Sequence, residues 1–318
     1  MPRVSPRLPL CGGLLCRTWR RGFSGGLRVV PSDAAGSQSR GGLPRFHSPL
    51  LLPSKAAKSL TLFSQYAAVF FFFFFFCSYF VELLGNVVRI QGDEFWHMSK
   101  VLRLGPNDRV QLFDGKGGLV EGCIQSVSRA GLDIMAVEEP QVVPPQGIQW
   151  HVYAAFGTLK GGRADWLVEK CTELGASSVT PILTERSHTI AENRVERLER
   201  VVVAAAKQCQ RLHQMTLNPP LKLQKLLSLV SESKLAFLAS AEETPLMNVL
   251  YHSTAQESGI LIVGPEGDFT DDEVKLLAEA GATPVGLGSC RLRVETATIA
   301  LLSTLMLWSD VQKIQLHL

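Results

Sequence analysis

Two apolar runs that each break at glycine constrain this chain more than any other feature. Gly259-Ile260-Leu261-Ile262-Val263 leads into Gly264-Pro265-Glu266-Gly267-Asp268-Phe269-Thr270. The shorter run 283–286 leads into Leu287-Gly288-Ser289-Cys290-Arg291-Leu292-Arg293-Val294-Glu295-Thr296-Ala297. A short apolar run bounded by turn residues reads as a buried strand. Glycine at its end lets the backbone bend sharply and come close to a ligand. Two such loops joined by one short helix are expected to lie side by side at the C-terminal edge of a parallel sheet. That crevice is where open α/β sheets bind ligands. Neither loop is a phosphate cradle, because no G-x-G-x-x-G follows a strand and no P-loop lysine is present. A ligand here is therefore expected to be held by backbone N–H and C=O groups.

The segments around these loops alternate in the same way. Residues 149–156, 178–183, 235–238, 260–263 and 283–287 read as strands. Residues 165–174 read as a helix stopped by Gly175, and 193–210 as a longer one with Val195, Leu198, Val201, Val202 and Ala205 on one face. Thr270-Asp271-Asp272-Glu273 is a capping box that starts a helix, and Gly281 ends it. An apolar helix over 297–308 closes the pattern. Alternation of this kind predicts a parallel sheet covered on both faces.

Upstream, 79–143 is different. Short strands over 86–90, 109–113, 119–127 and 132–137 are divided by turns such as Gly105-Pro106-Asn107-Asp108 and Asp114-Gly115-Lys116-Gly117-Gly118. One helical piece, 93–102, interrupts them. This pattern predicts a small β-barrel. Val142-Val143-Pro144-Pro145-Gln146-Gly147 reads as the linker between the two domains, since two prolines extend neither a ladder nor a helix.

Charge is unevenly spread. Positions 1–60 hold ten basic side chains and one acid, Asp33; subtracting these from the totals of 32 and 29 leaves 22 basic and 28 acidic residues beyond position 60. The body is mildly acidic and carries no bulk basic footprint for nucleic acid, so any RNA surface there is local. The leader is rich in Arg, Ser and Gly and poor in acids, the make-up of a mitochondrial transit peptide; a disordered basic tail is the other reading. Residues 61–78 are a Phe-rich apolar stretch in which seven phenylalanines run from Phe70 to Phe76. Three readings stay open for it: an insertion of the kind a pyrimidine-rich tract would encode, a membrane-spanning helix, or a buried segment. The seven cysteines include no C-x-x-C pair and no Cys/His cluster of zinc spacing, so neither a disulfide framework nor a metal site is expected.

The loop pair, with its GPEG and RLRVETA stretches, resembles the RsmE family, knotted SPOUT methyltransferases that methylate N3 of a uridine in small-subunit ribosomal RNA. Lys160-Gly161-Gly162-Arg163-Ala164-Asp165-Trp166, Lys170-Cys171-Thr172-Glu173-Leu174-Gly175 and Thr184-Glu185-Arg186-Ser187 are similar to further segments of that family. So is Gln208-Cys209-Gln210-Arg211, although Lys207 stands where the family usually has an acid. In the N-terminal part, His97, Val101-Leu102-Arg103, Asp108 and Phe113-Asp114-Gly115 resemble the family's PUA-like barrel. The resemblance spans residues 79–312.

The resemblance implies an α/β fold in which a SPOUT trefoil-knot parallel-sheet domain (149–315) follows a PUA-like RNA-binding barrel (79–143). It implies S-adenosylmethionine as cofactor, held by Val263, Gly264, Pro265, Glu266, Gly267, Leu287, Gly288, Ser289, Leu292, Val294, Thr296 and Ala297. Arg293 or Arg291 would stabilise negative charge on the uracil, and Glu295 would accept the N3 proton, orient Arg293, or serve only as a helix-start carboxylate. Lys100, Arg103, Lys160, Arg163, Arg186 and Arg211 would contact RNA. Small-subunit ribosomal RNA as partner, a homodimer, no metal, no membrane and a mitochondrial matrix location complete the expectation. A catalytically silent RNA-binding or ribosome-assembly factor with the same fold is the alternative.

Overall fold

A computed structural model describes residues 42–49, 83–84, 87–157, 159–187, 192–241 and 243–316. The leader up to residue 41 and the phenylalanine run fall outside the described residues.

The N-terminal sheet contains β1 (Arg45–His47), β2 (Leu83–Leu84), β3 (Val87–Ile90), β4 (Arg109–Phe113), β5 (Gly118–Val127), β6 (Leu132–Ala136) and β7 (Gln141–Val142). Its order is β1-β4-β5-β6-β3-β2, with β7 on β5. Every pairing is antiparallel except β1 with β4, where Phe46 lies opposite Leu112. Period-two burial is clearest on β5, where Val120 and Ile124 point into the core. Helix α1 (Gly92–Trp96) continues as a π-helical turn, His97–Val101, and closes the core with a fully buried Met98. Burying each aliphatic side chain of the size of Val110, Ile124 or Leu132 contributes about 1.5–3 kcal/mol. The barrel thus takes in Arg45–His47, which lies within the stretch 1–60 expected to be a leader. Three residues with one apolar side chain between two polar ones are too short to announce a strand.

The second sheet is wholly parallel, in the order β10-β9-β8-β13-β12-β14. Its strands are β8 (Gln149–Ala154), β9 (Ser178–Leu183), β10 (Thr216–Leu217), β11 (Leu221–Lys222, also on β9), β12 (Ala236–Ala239), β13 (Ser258–Val263) and β14 (Thr283–Val285). On one face lie α2 (Arg163–Leu174), α3 (Glu192–Cys209), α5 (Leu246–Tyr251) and α7 (Val294–Leu316). On the other lie α4 (Leu223–Glu232) and α6 (Asp271–Glu279). Central strands buried on both sides explain why β8 and β13 read as near-continuous apolar runs. By length and composition α7 would suit a membrane span, yet Leu301, Leu302 and Leu305 are fully buried in the core of this domain. The capping box is present: Thr270 Oγ1 accepts from the Glu273 N–H, and Glu273 Oε2 accepts from the Thr270 N–H.

The turn of the barrel between β4 and β5 is bonded to the second domain. The Gly117 N–H donates to the Leu212 carbonyl at 2.9 Å, and the Gln214 N–H to the Gly115 carbonyl at 2.7 Å. A side chain at Gly117 would place its Cβ 2.5 Å from the His213 ring, at a backbone φ of +95°, so only glycine fits. Arg45 donates to the Gln210 carbonyl at 3.2 Å, and Lys207 pairs with Glu94 at 3.3 Å. Lys207 therefore has a structural partner across the joint in place of the family's acid.

Candidate functional site

The two glycine-ended strands do reach one edge of the sheet, but not as neighbours: β12 lies between β13 and β14. The cleft accordingly has three walls. Its floor is apolar, made by Val263, Val285, Val294, Ala297 and Leu301. One wall is Gly264, Pro265, Glu266 and Asp268; the second is Leu287, Gly288, Cys290, Arg291 and Leu292; the third is Ala239, Ser240 and Ala241 at the end of β12. The sequence reading missed this third wall, because Ala-Ser-Ala carries neither charge nor glycine to mark it.

The glycines have specific reasons to be glycine. A Cβ on Gly264 would sit 2.9 Å from the Phe269 ring, which is buried under the loop. A Cβ on Gly286 would sit 2.7 Å from the Glu243 carbonyl, where the third wall crosses behind β14. Gly288 has φ +111°, and Asp268 holds a left-handed φ of +67° that closes the first loop through its N–H to the Pro265 carbonyl at 2.8 Å. Of the expected cofactor residues, Gly267, Ser289 and Thr296 do not line the cleft. A Cβ on Gly267 would face the Arg186 side chain at 3.4 Å instead.

Several expected RNA contacts are built into the protein. Arg186 Nη1 donates to the carbonyls of Gly267 at 2.6 Å and Phe269 at 3.3 Å, so it braces the first loop. Arg211 donates to the carbonyls of Thr172 at 2.8 Å and Ala176 at 3.0 Å at the end of α2, and burial lowers its pKa. Arg163 donates to Glu266 Oε1 at 2.6 Å and lies 3.6 Å from Glu295 Oε1. The hydrogen bond it donates to Glu266 is the first cause that raises the Arg163 pKa. Lys100, Arg103 and Lys160 are exposed and have no side-chain hydrogen bond or ion pair among the described residues. Beside Lys100 and Arg103, Trp96 is 60% exposed on the turn that becomes π-helical, and Arg103 holds a left-handed φ of +57°. A bulky residue in that conformation stores strain, which tends to gather at functional surfaces.

The charged groups of the second loop differ sharply from one another. Arg291 leans across the cleft, with Nη2 3.5 Å from the Glu266 carbonyl and 3.9 Å from Asp268. Arg293 is exposed, and its guanidinium has no partner among the described residues. Glu295, in the first turn of α7, is only 7% exposed, and its Oε2 has no hydrogen-bond partner among the described residues. Glu273, 3% exposed, has each carboxylate oxygen satisfied by one N–H: Oε2 accepts from Thr270 in the capping box, and Oε1 accepts from the Glu185 N–H at 3.0 Å. It ties the loop after β9 to α6, a role its sequence position does not reveal. Burial pushes the Cys171 thiol up to about 12, in keeping with an inert core residue.

An RNA methyltransferase domain model matches residues 147–306, and an RNA methyltransferase PUA domain model matches residues 90–134. Over 226 residues the chain is 29% identical to ribosomal RNA small subunit methyltransferase E of Synechocystis, covering 69% of this chain and 73% of the relative. It is equally similar to the enzyme of that name from Bacillus subtilis, covering 71% of this chain and 94% of the relative. Among solved structures, a probable rRNA-methyltransferase from Porphyromonas gingivalis is 28% identical with a TM-score of 0.60, covering 70% of this chain and 94% of that one. Ribosomal RNA small subunit methyltransferase E from Neisseria gonorrhoeae, bound to S-adenosyl methionine, shares the fold at 22% identity and a TM-score of 0.61, covering 85% of this chain and 99% of that one.

Proposed function

The chain belongs to the RsmE family of RNA methyltransferases, and we propose that it methylates N3 of a uridine in small-subunit ribosomal RNA with S-adenosylmethionine as donor. The cleft fits that cofactor. An apolar floor suits a flat purine, and the loops around it offer backbone groups, with a Gly264 that no larger residue can replace without displacing Phe269. Val263, Gly264, Pro265, Leu287, Gly288 and Leu292 would hold it, with Ala239–Ala241 as the third side. The bound cofactor supplies an electrophilic methyl group.

What remains for the protein is to make a poor nucleophile reactive. Uridine N3 carries a proton, and removing it leaves negative charge spread over N3 and its flanking carbonyls. A permanently charged planar guanidinium suits that delocalised anion. Arg163 and Arg291 are committed to loop contacts, whereas Arg293 is free among the described residues, and this observation carries the assignment. Glu295 keeps one oxygen's acceptor capacity unspent beside it, which supports a part in holding or moving the N3 proton. The reacting base must leave its stack to reach the cleft. Lys100 and Arg103, with Trp96 as a stacking face, would position the flanking RNA on the barrel, and Lys160 would contact it near the cleft. Import into the mitochondrial matrix and assembly as a homodimer are part of the same proposal.

The test separates binding from chemistry. Arg293→Ala is expected to retain most cofactor affinity and to lose about a hundredfold in single-turnover methyl transfer, as when one charge-stabilising donor is removed. If rate and affinity fall together, Arg293 is a cofactor or structural residue and its assignment is wrong.

A further inference from the structure

Arg163 lies outside both glycine loops yet touches a carboxylate from each. It is the first residue of α2, reached through Gly161 and Gly162 at φ +64° and +79°. Its Nη1 donates to Glu266 of the first loop at 2.6 Å and sits 3.6 Å from Glu295 of the second. Its Nε donates back to the Lys160 carbonyl at 3.3 Å, which fixes the guanidinium in place. We propose that Arg163 is a positioning residue of the cofactor cleft, a clamp that sets the distance between the two loops before any RNA arrives. The proposal rests on the reading of the cleft as a cofactor site.

Glu295 is the group that most needs the clamp. A carboxylate that is 7% exposed with an unpartnered oxygen depends on its remaining cationic neighbour, because a buried charge left without a partner is strongly destabilising. The N-terminal end of α7 favours the same negative charge, but it cannot draw the first loop closer. One planar guanidinium can serve two carboxylates at once, and a lysine ammonium, a compact point charge, serves two less well. A second side-chain link between the loops, Arg291 to the Glu266 carbonyl and Asp268, is longer and exposed. With the clamp in place the loops are held at their spacing in the free protein, so less ordering remains to be done when the cofactor binds.

The competing role is a direct phosphate contact, and the two make opposite predictions. The full chain and its Arg163→Met and Arg163→Lys variants would be titrated with S-adenosylmethionine by calorimetry without RNA, and separately with small-subunit ribosomal RNA without cofactor. The clamp predicts that Arg163→Met weakens cofactor binding about tenfold or more, the scale set by an uncompensated buried charge. Arg163→Lys should recover part of that loss, and RNA affinity should stay unchanged. In a Glu266→Gln background, Arg163→Met should cost less than it does alone. Unchanged cofactor affinity with weakened RNA binding would overturn the clamp and leave the functional reading standing. Failure of the unaltered chain to bind cofactor would overturn both. If Arg163→Met does not fold, Arg163→Lys decides: wild-type cofactor affinity in that variant would overturn the clamp.

Discussion

At the scale of single residues, the charged groups divide by what they already hold. Arg186 and Arg211 spend their donors on backbone carbonyls, and Arg163 on two carboxylates, which leaves Arg293 available for chemistry. The expectation from sequence made Arg163, Arg186 and Arg211 RNA contacts and Arg293 a catalytic residue, because nothing in a linear pattern shows which carbonyls a folded loop leaves within reach. His47 is a second case. Its ring packs edge-on against Phe113 in the joint, and burial, then Lys207, depress its pKa to about 4, with Asp114 opposing. The unfolded chain takes up that proton near the ordinary histidine value, so between about pH 6.5 and 4 it binds more protons than the folded protein. The stability from this group is therefore fully present above the unfolded value and declines as pH falls through that window. Replacing it, as in His47→Gln, should shrink the loss of melting temperature between pH 7 and pH 5 relative to wild type. An unchanged difference would show that His47 already titrates freely.

At the scale of elements, the glycine loops are legible because each strand announces itself by apolar residues and each stop by glycine. The capping box at Thr270 and the left-handed stop at Gly175 were legible for the same local reason. What was not legible is order across the sheet. The insertion of β12 between β13 and β14 depends on crossover connections, to which periodicity is blind. Helix α5 and the two-residue strands β10 and β11 carry too few residues for a period to register, whereas α4, with Leu223, Leu226 and Val230 buried at helical spacing, lacks the cap that marks α6. The same limit misplaces Gly267: a glycine in a loop motif looks like a cleft residue, yet its open side faces Arg186. The consequence is testable at Gly264. In Gly264→Ala the new methyl would meet the Phe269 ring at 2.9 Å and push the loop out of place, an overpacking that costs about 1–3 kcal/mol. Calorimetry should show cofactor affinity reduced by about tenfold or more at that cost, with a smaller effect in Gly267→Ala. Equal effects at both positions would contradict the placement of the loop.

At the scale of the whole molecule, the barrel and the parallel sheet are joined by backbone hydrogen bonds at Gly115 and Gly117 and by the Glu94–Lys207 pair, so RNA bound on the barrel, as proposed, would be held in register with the cleft. Arg45–His47 belongs to that barrel, which leaves residues 1–41 as the candidate targeting leader. Fused to a fluorescent protein, residues 1–41 should direct it into mitochondria, and diffuse cytosolic fluorescence would refute the matrix assignment. The proposed homodimer would have a face on α7, where Leu307 is 69% and Val311 52% exposed at helical spacing; light scattering at monomer mass would exclude it. The central claim concerns which atom is methylated. Small-subunit ribosomal RNA from cells lacking the gene would be incubated with the protein and S-adenosylmethionine, digested, and its nucleosides identified by mass spectrometry. The account predicts new N3-methyluridine at a single site, formed about a hundredfold more slowly with Arg293→Ala. Methylation of a ribose hydroxyl or another base, or none at all, would contradict it.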